Sequence, residues 1–343
     1  MRLTISPLRL ELRDTFRIAR EASDVRDNLL VKITDDDGAE GLGEAAPSRF
    51  YGQSADSARA ALQRLQIPAG TDALLLEDLL EGLRPQLAGQ GAAMAAVDMA
   101  LHDLVAKKLN LPLCRFFGLD PDKVPQTSFT IGLAPLDEMK RKAQEAAGYP
   151  ILKVKLGTDR DRDIIRTIRS VSDLPIRVDA NASWSVEAAI RNIAWLRDEG
   201  IELVEQPVAK DDLEGLRRVT QASPLPIIAD ESAMTPRDVV ALRGCVHGIN
   251  IKLAKCGGLR QAMKMIHVAR AQQMSIMLGC FIESSLGITA AAHLTPLIDF
   301  ADLDGHLLIR DDPIRGVQLR NGRLMIPDRP GIGVQPVTDG GFT

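Results

Sequence analysis

The sequence predicts an α/β protein: a modified (β/α)8 TIM barrel, (β/α)7β-like, with an α+β cap formed by the N-terminal segment and the C-terminal tail. Two observations carry this reading. From residue 126 onward, short apolar runs alternate with amphipathic stretches of helical period, eight runs at roughly 25-residue intervals, the rhythm of βα units closing into a barrel. Before residue 125 the order differs: strands come first and a run of helices follows, as in an α+β unit. A doubly wound sheet would need a Gly-rich turn after its first strand. Gly132 and Gly157 stand alone, and Gly41-Leu42-Gly43 lies between strands.

In chain order, residues 2–12 and 28–34 read as strands, Asp35-Asp36-Asp37-Gly38 as hairpin-turn chemistry, and 39–46 as a third strand. Apolar residues at three-and-four spacing predict helices over 54–65, 73–87 and 92–109. The eight barrel strands are expected at 128–133, 151–157, 176–181, 201–207, 226–231, 248–253, 275–281 and 300–304. Helices between them fall at 159–171, 186–198, 213–221, 259–272 and 285–294. The tail reads as a hairpin around Asn321-Gly322 with no place in a closed barrel, so it should rejoin the N-terminal unit. The expected division is a cap of 1–125 plus 317–343 around a barrel of 126–316.

Composition narrows the function class. With 343 residues, 45% hydrophobic and 26% charged, the chain has the balance of a globular protein of more than one simple domain. A net charge of −4 without long like-charge runs points away from nucleic acid and membrane surfaces. Asp98, His102 and Asp103 interrupt the most apolar stretch, which predicts a buried helix rather than a membrane span. The start, Met1-Arg2-Leu3-Thr4, lacks a signal peptide's apolar core, and Cys114, Cys245, Cys256 and Cys280 show no C-x-x-C spacing. Free thiols in a reducing cytoplasm are expected. His102, His247, His267, His293 and His306 show no ligand spacing and read as structural. A small-molecule partner is expected, and a homo-oligomer stays open.

Barrel active sites form where strands end. Asp179, Glu205 and Asp230 end three consecutive strands, 26 and 25 residues apart. Carboxylates from neighbouring strands suit a hard cation, Mg²⁺ before Mn²⁺. Lys155 and Lys252 flank that arc, and Lys153 shares a face with Lys155. Two ammonium groups roughly 6 Å apart at an effective dielectric near 20 repel by about 3 kcal/mol, about 2 pKa units, enough to ready a lysine base. Lys255 reads as a surface residue.

The ordered set Lys153-x-Lys155, Asp179-x-Asn181, Glu205-Gln206-Pro207, Asp230-Glu231-Ser232 and Asn250-Ile251-Lys252 resembles the muconate-lactonizing subgroup of the enolase superfamily over essentially the whole chain. The superfamily's Lys or His base acting with Mg²⁺ on an ene-diolate is a general pattern, not one deduced from these residues. The resemblance implies that Asp179, Glu205 and Asp230 bind Mg²⁺, that Lys155 and Lys252 are the acid–base pair, and that Lys153, Asn181 and Glu231 support them. Asp302-Leu303-Asp304 is similar to the Asp-x-Asp of dipeptide epimerases, which holds a substrate's free ammonium group. The stretch from Ile282 to Thr289 is similar to the same branch. The implied reaction is Mg²⁺-dependent inversion of the α-carbon of a dipeptide's second residue, by two-base 1,1-proton transfer through a metal-stabilised enediolate.

Reactions of the same subgroup are the alternatives: o-succinylbenzoate synthase, N-succinylamino acid racemase and muconate cycloisomerase. Their substrates lack a free ammonium, so Asp302 and Asp304 argue against them. A metal-dependent binding protein would need no base on each face. Side-chain preference is expected to lie with loops near 16–24 and 48–53, with Thr130, Cys280 and Ile282 at the barrel mouth. Family members acting on Ala-Glu place an arginine in the first loop. An ungapped match puts Glu21 there, with Arg20 beside it.

Overall fold

The computed structural model describes residues 1–337. Three antiparallel strands open the chain: β1 (Arg2–Ile18), β2 (Glu21–Thr34) and β3 (Glu40–Ala45). The first two are longer than expected and meet in a two-residue turn, Ala19-Arg20. Their outer halves are largely solvent-exposed and charged, and they pair with each other beyond a register shift between Glu11 and Phe16. An apolar alternation never appears there, which is why these residues read as loop.

Three helices share an apolar core with this sheet: α1 (Ala55–Arg64), α2 (Leu76–Leu83) and α3 (Gly91–Lys108). Ser54 caps α1 by accepting from the Ser57 N–H. The helix expected over 73–87 is shorter. Its end tightens into a 3₁₀ turn, Arg84–Leu87, where Pro85 has no N–H for an α-helical bond. Helix α3 is buried on all sides from Ala92 to Ala106. Gly43 lets β3 lie directly against it, because a Cβ there would collide with the Ala96 carbonyl.

The barrel strands run in sequence order: β4 (Phe129–Ile131), β5 (Leu152–Lys155), β6 (Ile176–Asp179), β7 (Ile201–Glu205), β8 (Ile227–Ala229), β9 (Gly248–Ile251), β10 (Ser275–Gly279) and β11 (Phe300–Asp302). All neighbours are parallel, and a bridge between Thr127 and Ala301 joins the first and last strands. All eight stand where the apolar runs placed them. Helices missed in the sequence are Leu113–Phe116, Leu136–Glu145, Pro236–Ala241 and Leu253–Cys256.

The tail forms the expected hairpin, Gln318–Arg320 with Arg323–Met325. Arg323 bridges to Gln126 and donates to the Val124 carbonyl, and the Ile332 N–H donates to Asp103 of α3. The same tail also touches the barrel side, where His293 Nε2 meets the Ile332 carbonyl at 3.0 Å. Among the described residues no helix is long and apolar enough to cross a membrane.

Candidate active site

Parallel register sets the site. Lys155 pairs with Asp179, and Asp179 with Glu205, so the ends of β5, β6 and β7 place these three side by side. Asp230 directly follows β8 and Lys252 directly follows β9. All five are buried, as are Lys153, Asn181, Glu231, Asp302 and Asp304.

Within this cluster every acid but Asp304 finds a cation. Lys153 Nζ lies 2.5 Å from Asp302, 2.6 Å from Glu205 and 3.6 Å from Asp179. Lys155 holds Asp179 at 2.6 Å, and Lys252 holds Asp230 at 2.8 Å. Among the described residues no three acids already surround a common metal position. Buried carboxylates that repel one another take ammonium partners instead.

The donor set nevertheless fits a hard cation. Glu205 Oε2, Asn181 Oδ1, Glu231 Oε2 and Asn250 Oδ1 are buried with no hydrogen-bond partner among the described residues. Glu205 Oε2 has the Lys153 charge beside it, but too obliquely for a hydrogen bond. Orphaned oxygens at this depth are costly unless something binds them.

The charges shape titration. Burial, reinforced by Asp179, pushes Glu205 up to about 7. Burial alone would raise Asp230, but Lys252 and Lys255 outweigh it and hold it below the carboxylate range. Burial pulls Lys252 down while Asp230 and Glu205 more than compensate, so its pKa is raised. Lys153 is likewise raised well above its ordinary value by Asp302, Glu205 and Asp179 against burial. This corrects the expectation that Lys153 acts as a bare repelling charge on Lys155: three acids neutralise it.

Lys255 corrects the surface assignment. It is 3% exposed, and its Nζ donates to Asp230 Oδ1 at 2.7 Å, the Asp230 carbonyl at 2.5 Å and the Asn250 carbonyl at 2.8 Å. The one-turn helix after Lys252 folds it beneath the site. Gln206 was also missed. Its Oε1 accepts from the N–H groups of Asp230 and Ser232, which ties two strand-end loops together. Asn250 donates to Glu205 Oε1 at 2.9 Å, and the Phe281 ring lies 5.0 Å from Lys252 Nζ.

At the mouth, Asp302 accepts from Ser128 Oγ at 2.6 Å as well as from Lys153, so both its oxygens are engaged. Asp304 accepts from the Thr130 N–H at 2.6 Å, and burial with the Asp302 charge pushes it up to about 6. The Cys280 thiol lies 3.4 Å from the Asp302 carbonyl, and Ile282 is buried with its carbonyl accepting from Asn28. The Ala19-Arg20 turn reaches across from the cap. Arg20 lies 2.6 Å from Glu231 and 3.0 Å from the Asn181 carbonyl, with Phe50 3.9 Å beneath its guanidinium. Glu21 stays on its own hairpin, 3.0 Å from Arg26.

Residues 2–118 match the mandelate racemase / muconate lactonizing enzyme N-terminal domain, and residues 138–340 match the enolase C-terminal domain-like family. The chain belongs to the enolase superfamily. Among its relatives in that superfamily is the L-Ala-D/L-Glu epimerase of Bacteroides thetaiotaomicron, 44% identical over 98% of this chain and 88% of the relative. The substrate-liganded L-Ala-D/L-Glu epimerase of Bacillus subtilis superposes with a TM-score of 0.93 at 35% identity, covering 100% of this chain and 99% of the other. A dipeptide epimerase from Cytophaga hutchinsonii, solved with Mg and D-Ala-L-Val, gives 0.93 at 31% identity, covering 98% and 96%.

Proposed function

We propose that this enolase-superfamily chain is a Mg²⁺-dependent dipeptide epimerase that inverts the α-carbon of the second residue. The observation that carries the reading is the pair of buried lysines on opposite arms of one acid arc: Lys155 on β5 against Asp179, and Lys252 after β9 against Asp230. Similarity to relatives named as dipeptide epimerases supports it. Asp179, Glu205 and Asp230 would hold the cation, with Mn²⁺ as a substitute. Bound there, Mg²⁺ supplies positive charge that draws electron density from the substrate carboxylate and so acidifies the neighbouring C–H.

One lysine takes the α-proton from its face, and the other delivers a proton from the opposite face. Burial keeps water from competing at either Nζ. Asp302 and Asp304 receive the ammonium of the first residue, with Asp304 the freer of the two because Lys153 and Ser128 already engage Asp302. Residues 1–125 with 317–343 serve as the specificity cap, residues 126–316 as the catalytic barrel, and the reducing cytoplasm as the setting of its free cysteines.

The test is a dipeptide panel in D₂O, read by mass and by NMR at the second α-carbon, alongside the N-acetyl form of each substrate. Free dipeptides should epimerise with deuterium uptake, EDTA should stop it, and Mg²⁺ should restore it. Truncating one partner of a desolvated charge pair costs about 2–5 kcal/mol, so N-acetylation should lower kcat/KM at least thirtyfold or so by the same arithmetic. Equal turnover of the acetylated compounds favours the N-succinylamino acid racemase alternative instead.

A further inference from the structure

Where β11 approaches β4, a cavity of about 370 Å³ lies beside the proposed ammonium site, walled by Phe16, Phe129, Tyr149, Leu307 and Leu308. All five side chains are only half-buried, and the Phe129 and Tyr149 rings stack with centroids 4.4 Å apart. Asp304 does not line the cavity itself but is hydrogen-bonded to two residues that do. Its carboxylate accepts from the N–H of Thr130, another wall residue, and its carbonyl accepts from the N–H of Leu307 at 2.9 Å. Burial, reinforced by the Asp304 charge, raises the Tyr149 phenol.

The charged residues at the rim already have partners. Arg13 Nε donates to the Ile309 carbonyl at 2.9 Å, and Lys142 lies 2.9 Å from Glu138 and 3.7 Å from Asp14. Glu145 is held by Arg141 at 2.5 Å. Lys142 and Glu145 are paired with opposite charges, whereas Arg13 gives one N–H to a neutral carbonyl and keeps its positive charge, which disfavours a cationic guest; the aromatic and aliphatic wall is uncovered.

We propose that this cavity receives the side chain of the dipeptide's first residue, so that the chain prefers a large apolar residue such as phenylalanine or leucine there. The inference rests on reading Asp304 as the ammonium acceptor in an epimerase. The carbon bearing that ammonium also bears the side chain, so the side chain must occupy space bordering Asp304. A pocket of this size holds a phenyl ring, and stacked aromatic walls favour another aromatic. Burying such a side chain is worth roughly ten- to a hundredfold in affinity.

The experiment compares kcat/KM for Ala-, Leu-, Phe- and Lys-initiated dipeptides with one shared second residue, followed by α-proton exchange in D₂O. Phe and Leu should exceed Ala by roughly tenfold or more, with Lys below Leu. Leu308→Trp fills the cavity from a half-exposed position and should lower the Phe-to-Ala ratio roughly tenfold. Leu307→Trp serves the same purpose if that variant fails to fold. Exchange with Ala dipeptides but no gain for Phe, or an equal loss across the series in the variant, overturns the cavity assignment and leaves the epimerase reading standing. Exchange with no dipeptide at all overturns both.

Discussion

Three oxygens converge on the Lys255 ammonium: one carboxylate oxygen of Asp230, its carbonyl, and the carbonyl of Asn250. The side chain is fully buried, so its charge is compensated by this contact alone. It fixes one Asp230 oxygen and leaves the other, Oδ2, facing Lys252. Without Lys255, Asp230 keeps Lys252 but one of its oxygens and two carbonyls lose their donor, and breaking a buried pair from one side typically costs about 3–5 kcal/mol. Lys255→Met should therefore lower unfolding free energy in urea by about that much and reduce turnover as Asp230 loses its orientation. A change under about 1 kcal/mol, the scale of an exposed pair, would show that Lys255 does not hold Asp230. Sequence reasoning could not find this residue. Lys252 announces itself at a strand end, whereas Lys255 becomes inward-facing only through a one-turn helix too short to leave a periodic pattern.

Between elements, the junction of cap and barrel turns on two buried acids. Glu44 on β3 accepts from the N–H and hydroxyl of Ser284 and from the Gly287 N–H, so the cap's third strand seats the first turn of the helix Ser285–Ala292. Glu283 accepts from the Phe281 N–H, and burial with the Glu44 charge pushes it up to about 8. A carboxyl raised in the folded state binds its proton there after the unfolded chain has released it. Its stabilisation is complete below the ordinary value of 4.5 and declines as pH rises through about 8. Glu283→Gln keeps a carbonyl oxygen for Phe281 and cannot ionise, so its Tm should fall less than wild type's between pH 5 and pH 8.5. Parallel Tm curves for the two proteins would contradict this reading. The neighbouring β1–β2 hairpin shows the limit of periodicity: its solvent-facing charges conceal strands that carry Arg20 to Glu231.

For the molecule as a whole, legibility followed burial. The eight barrel strands read clearly because each is an apolar run facing the core on one side and helices on the other, and the acids and lysines at their ends interrupt those runs. What could not be read was how the charges pair, since pairing depends on which side chains meet across strands. The paired arrangement makes a thermodynamic prediction. A cation that binds only the folded chain stabilises it, by about 2.7 kcal/mol at a hundredfold excess over Kd. Mg²⁺ should raise the wild-type Tm by several degrees in the absence of substrate and should do so far less for Glu205→Gln. Equal shifts for both would place the cation elsewhere.

The central claim is that one lysine serves each face of the α-carbon, and Lys155→Ala and Lys252→Ala in D₂O test it most directly. Each variant keeps one base on one face, so each should exchange the α-proton of one epimer only while net epimerisation disappears. The two variants should select opposite epimers. Exchange of both epimers by either single variant, or selection of the same epimer by both, would contradict the assignment of Lys155 and Lys252 to opposite faces.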